Sequence, residues 1–126
     1  MGCMDKDEFS KKLLIKVKGK TFDNPSGRGT TEIICVDSDK IKYRKRNTDI
    51  TIRVDILYDA YKEYYGQKCS SNDLKVYRAS VFNSKARPAG HNCNCTLLFL
   101  LLREIGSVNK IEGAGKAGSP FYVNIK

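Results

Sequence analysis

Six consecutive apolar residues, Leu97, Leu98, Phe99, Leu100, Leu101 and Leu102, constrain this chain more than any other feature. On a helix such a run covers every face, so a helix there has no side to turn to water. The run is far shorter than the roughly 20 residues that cross a bilayer, so it belongs in a protein core. The pattern predicts a helix over 96–105, stopped at Gly106, with the rest of the chain wrapped round it.

The flanking segments supply what would wrap it. Residues 5–12 fit a short helix. Leu13, Ile15 and Val17 alternate with Leu14, Lys16 and Lys18, which reads as a strand with one wet face. The glycines and proline of residues 23–29 mark a flexible connector, not a phosphate loop, because the Lys-Ser/Thr ending and following helix of that motif are missing. Residues 32–37, 40–46 and 50–54 are rich in β-branched residues and separated by short Asp/Ser/Asn turns. They predict three strands of an antiparallel meander.

Beyond residue 54 the period lengthens. Asp55 is placed to cap a helix with Ile56, Leu57, Ala60, Tyr61 and Tyr64 on one side and Gly66 at its stop. Ser70 and Asp73 have capping-box spacing for a second helix to about Ser80, with Leu74, Tyr77 and Val81 inward. Residues 83–92 read as loop. Residues 110–112 and 121–125 read as two strands joined by the glycine-rich link 113–118.

The expected fold class is therefore α+β: an antiparallel β-meander followed by three helices and a C-terminal β-hairpin. A length of 126 residues suits a single domain over 1–126, divided into an N-terminal arm and loop (1–30), the meander (31–54) and a helical part with the hairpin (55–126). Three helices and a glycine-tipped hairpin follow the element order of a winged-helix domain, an analogy of order alone. A winged-helix recognition helix needs a polar face for the groove, which 97–102 lacks, so contacts with a ligand are expected elsewhere.

Charge narrows the function classes. Lys and Arg number 23 against 14 Asp and Glu, a formal net charge of +9. Such a surplus favours a polyanionic partner, most often nucleic acid. On the predicted strand 40–46, Lys40, Lys42, Arg44 and Arg46 share one face and Ile41 and Tyr43 the other. A stripe of that kind supplies phosphate contacts and salt dependence, not sequence choice. A solvated sheet face, or an edge strand charged against aggregation, has the same pattern. Lys75 and Arg78 are helical neighbours, Arg87 flanks the following loop, and Lys116 sits in the link where a wing touches a backbone. Tyrosines crowd the first of these helices, but at that spacing they suit a core better than a stacking platform.

The chemically densest segment is Arg87-Pro88-Ala89-Gly90-His91-Asn92-Cys93-Asn94-Cys95. With Cys69, its His91, Cys93 and Cys95 make up a zinc ligand set. The single-residue gaps argue against it, since zinc loops usually leave two residues between thiolates. Cys95 just before a helix, near His91, is an alternative nucleophile, with no orienting acid or oxyanion site to complete it. The plainer reading is a fixed turn that delivers the chain into the buried helix. Its thiols bury as small hydrophobes, and Arg87, His91 and Asn92 remain for contacts.

Five cysteines without a secreted-scaffold spacing suggest reduced thiols and a cytoplasmic protein. No secretory h-region opens the chain, and Lys6 stands where a myristoylation motif needs Ser or Thr. The expectation is a small nucleic-acid-binding domain gripping backbone phosphates through Lys40, Lys42, Arg44, Arg46, Lys75, Arg78, Arg87, His91, Asn92 and Lys116, with no enzymatic activity, no cofactor and no membrane partner. The alternatives are a protein-binding module, such as a phage-type inhibitor of a nucleic-acid-handling enzyme, and a zinc- or cysteine-dependent enzyme.

Overall fold

In the computed structural model, which describes residues 2–88 and 90–126, the chain enters helix α1 (Lys6–Lys16) at Asp5, whose carboxylate accepts the Glu8 amide at 2.8 Å. Phe9, Leu13 and Val17 are buried at four-residue spacing, while Ile15 is 78% exposed. The expected strand over 13–17 is therefore helix for most of its length. The i, i+4 pattern prevails because it meets tyrosines on the next helix: Phe9 stacks on Tyr61 and packs edge-on to Tyr58, both at 5.5 Å.

Four strands follow: β1 (Thr21–Asp23), β2 (Thr30–Val36), β3 (Lys40–Lys45) and β4 (Thr48–Arg53). They pair in sequence order, every pair antiparallel. Residues 23–29 are thus a hairpin loop and not a flexible connector. Buried Asn24 pins it, donating to the Arg28 carbonyl at 3.0 Å and accepting from the Thr31 hydroxyl at 2.6 Å. One face of the sheet, with Ile33, Val36, Ile41, Tyr43, Ile50 and Ile52, is buried. Arg46 is not on the strand. It occupies the β3–β4 turn with φ of 57°, in the left-handed region that tight hairpin loops use.

Helix α2 (Val54–Glu63) has no side-chain cap. Asp55 lies in its first turn, held by Arg53 at 2.7 Å, instead of capping it. Strand β5 (Lys68–Ser70) leads into α3 (Ser71–Tyr77), which opens with the expected reciprocal Ser70–Asp73 capping box. The helix expected to reach Ser80 breaks at Arg78, and a short α4 (Ala79–Phe82) resumes beyond it.

Helix α5 (Cys93–Glu104) begins earlier than its apolar run, and Leu97 through Leu102 are all fully buried. Strand β6 (Tyr122–Asn124) pairs antiparallel with β5 to make the C-terminal two-stranded sheet. Residues 110–112 contribute a single bridge, Glu112 to Tyr122, and a second bridge from Lys116 to Ser119 closes the loop tip. The architecture is α+β, with α5 at its centre. Among the described residues no helix is long and apolar enough to cross a membrane.

Candidate functional site

Strand β3 carries cations to both faces of the sheet, and the two faces differ. On the outer face Lys40, Lys42 and Arg44 stand beside Arg53 of β4, as alternation predicts. Antiparallel register sets acids among them: Glu32 and Asp49 lie directly opposite Arg44, and Asp23 completes the face. Lys42 and Arg44 thus share Asp49, Arg53 pairs with Asp55, and Asp39 lies beside Lys40, so the face is nearly balanced. Arg44 donates to Asp49 at 2.7 Å, and Lys42 approaches the same carboxylate at 3.7 Å. The Arg44 hydrogen bond holds the Asp49 carboxyl below its ordinary pKa, with Lys42 adding to the shift, and Asp49 in turn raises the pKa of Arg44.

The inner face tells otherwise at its far end. Ile41 and Tyr43 are fully buried, and the next residue on that face is Lys45, half-buried between Thr31 and Thr48. The Tyr43 hydroxyl donates to the Asn94 amide oxygen at 2.6 Å, which ties β3 to the first turn of α5. Lys45 therefore projects past the edge of the core beside that turn. There it meets Lys75 of α3 and Lys116 of the C-terminal loop round a hollow of about 350 Å³. Ser71, Asn72, Thr96 and Phe121 are also on its wall, and no carboxylate is.

A second hollow of about 380 Å³ holds Arg46, Thr48, Ile50 and His91. It shares Lys45 and Cys93 with the first, so the two meet at those residues. The result is a groove that runs from the β3–β4 turn, across the start of α5, to the C-terminal loop. Lys45, Arg46, Lys75 and Lys116 line it, and none of them has an ion-pair partner among the described residues. By contrast, the hollow beside Lys40 and Arg53 contains Asp39 and Asp55. The positive end of the α5 dipole adds to the field of the groove.

The structure brings together five of the residues singled out from sequence: Arg46, Lys75, His91, Asn92 and Lys116. Asn92 also has a structural task. Its amide oxygen accepts the Ser84 amide at 2.9 Å, and its own backbone N–H donates to the Ser84 hydroxyl at 2.8 Å. Lys40, Lys42 and Arg44 lie across the sheet from the groove. Arg78 stands at the α3–α4 break, over the Tyr77 ring at 5.8 Å, and Arg87 is exposed in the loop outside the groove. Of the expected 87–90 turn, Ala89 lies outside the described residues.

The cysteines do not assemble. The Cys95 sulfur contacts the carbonyls of Phe82 at 3.6 Å and Ser71 at 3.8 Å, and the Cys69 sulfur that of Ser70 at 3.8 Å. His91 and Cys93 face the groove. No group of three or more His, Cys, Asp or Glu side chains is arranged to hold a metal among the described residues. Burial pushes the Cys95 and Cys69 thiols up to about 12, so both are protonated at neutral pH. Cys95, weighed as an alternative nucleophile just before a helix, lies within α5, where desolvation raises its pKa and Lys75 only partly opposes the shift, in keeping with the plainer reading of buried thiols.

Lys45 is the groove residue that reading the outer stripe passes over. Its signal is parity, since Lys45 falls on the Ile41–Tyr43 face, where a lysine has to leave the core at its edge. No protein-family model, curated protein or solved structure matches this chain.

Proposed function

We propose that this protein is a small nucleic-acid-binding domain that holds backbone phosphates in the groove over the start of α5. The observation that carries the reading is the convergence of Lys45, Lys75 and Lys116 from three distant parts of the chain on one hollow without a carboxylate. Like charges gathered in a concavity repel, and an anion across them reverses the sign of that energy. The net charge of +9 adds long-range attraction for a polyanion. The outer face of the sheet, nearly balanced by its own acids, plays the smaller part. The contacts are to phosphates, so the mode is affinity without base readout.

Fluorescence anisotropy with single-stranded and duplex oligonucleotides across a salt series tests this. Three or four groove contacts give a slope of log K against log salt of about −2 to −3 on a single strand. Lys45→Gln, Lys75→Gln and Lys116→Gln should each flatten it by about 0.7. Lys42→Gln, whose partner Asp49 then remains with Arg44, should change it little. No binding at low salt, or equal flattening by the outer-face variant, sinks the proposal.

A further inference from the structure

We infer that the hollow between Lys45, Lys75 and Lys116 is a pocket for a phosphate monoester, the terminal phosphate of a nucleic-acid strand or of a free nucleotide. The inference rests on the reading that the groove holds phosphates, and it names what the end of the groove lined by Lys45, Lys75 and Lys116 takes. At about 350 Å³ the hollow is at the small end of ligand-binding pockets, the size of one nucleotide and not of a duplex. An internal phosphodiester brings one negative charge, whereas a monoester brings close to two at neutral pH. Three lysines with no acid beside them are matched to the larger charge, and the first turn of α5 adds its positive dipole end.

The rest of the wall fits the same ligand. Ser71, Asn72 and Thr96 offer hydroxyls and an amide to the remaining phosphate or sugar oxygens. Pro120 and Phe121 form an apolar side against which a sugar or base can lie. The loop that brings Lys116 is seated, not loose. Gly115 packs so closely on the Phe121 ring that a Cβ there would stand 2.4 Å from it, and the Lys116 amide donates to Ser119 at 3.2 Å. The three cations therefore reach the pocket from supported backbone, which favours a defined anion over a diffuse ion cloud.

The test uses the full chain and one short single-stranded oligonucleotide in three forms: 5′-phosphorylated, 3′-phosphorylated and with both ends hydroxyl. Thymidine monophosphate and inorganic phosphate serve as competitors. One phosphorylated form should bind about tenfold tighter than the hydroxyl form, and thymidine monophosphate should erase the difference. Lys75→Gln and, separately, the exposed Lys116→Gln should abolish the preference, while Lys42→Gln keeps it. Circular dichroism confirms that each variant is folded. If all three forms bind alike and Lys75→Gln weakens them equally, the monoester pocket is overturned and the phosphate groove stands. If thymidine monophosphate binds through Lys75 but no oligonucleotide does, the pocket stands and the nucleic-acid reading falls. Binding by none of these ligands overturns both.

Discussion

Asn94→Ala should be costly for a substitution of a polar residue. The side chain is 3% exposed and joins three elements. Its amide oxygen accepts from the Tyr43 hydroxyl of β3 at 2.6 Å, and its amide nitrogen donates to the Val81 carbonyl of α4 at 2.8 Å. Alanine leaves the hydroxyl of a fully buried tyrosine without a partner, which costs about 1–3 kcal/mol. The Val81 carbonyl keeps the His91 amide at 3.0 Å, so there only the net value of one bond is lost, about 1 kcal/mol. The sum is about 2–4 kcal/mol. Tyr43→Phe alone strands the Asn94 oxygen and should cost about 1–3 kcal/mol. The double variant strands neither group, so it should be more stable than the sum of the singles implies, by about 1–2 kcal/mol. Urea denaturation reads all three as shifts in midpoint at constant m; at an m near 2 kcal/mol/M the Asn94→Ala shift is about 1–2 M. Additivity within about 0.5 kcal/mol, or an Asn94→Ala cost below about 1 kcal/mol, refutes the argument that this contact ties β3 to α5.

Gly115→Ala places a Cβ against the Phe121 ring at a backbone φ of +72°, so it should destabilise the fold by about 1–3 kcal/mol and weaken oligonucleotide binding by unseating Lys116. Unchanged stability and affinity would show that the loop is not held there. Asp37, Asp49 and Asp55 all have lowered pKa values: backbone amides of Asp39 and Lys40 act on the first, Arg44 on the second and Arg53 on the third. A carboxyl whose folded pKa lies below its unfolded value stabilises above the unfolded value, near about 4, and loses that contribution as pH falls through the folded pKa. The urea midpoint should drop below about pH 4, less steeply in Asp49→Asn, and an equal slope in that variant counts against the pairing. In the native protein a thiol reagent at neutral pH should modify exposed Cys35 and leave Cys69 and Cys95 until unfolding, since burial keeps both protonated. Equal rates for all three would contradict the packing described.

What is local in this fold is legible in the sequence. The capping box at Ser70 and Asp73 is a three-residue signal, the meander follows from alternation broken by short turns, and the burial of α5 follows from a run with no polar face. The α1 misreading shows the limit: residues 13–17 satisfy both a two-residue and a four-residue period, and only Tyr58 and Tyr61 on α2 decide between them. The same limit hid Lys45 and the grouping of the site's cations. Alternation alone puts Asp49 on the face of Arg53, but only the strand register sets it opposite Arg44. Lys45, Lys75 and Lys116 look unrelated, since about 30 and 40 residues separate them in turn, and only packing on α5 makes them neighbours.

The two-residue β3–β4 turn has a further consequence. Its register, Lys45 opposite Thr48 and Ile41 opposite Ile52, decides which residues of β3 enter the core. A slip of one position would drive Lys42 and Arg44 inward and carry Lys45 away from α5. A form slipped by one residue keeps neither a sound interior nor an intact groove. Under the proposed function, phosphate binding requires correct strand pairing, and a preparation's binding stoichiometry should then count its properly paired molecules.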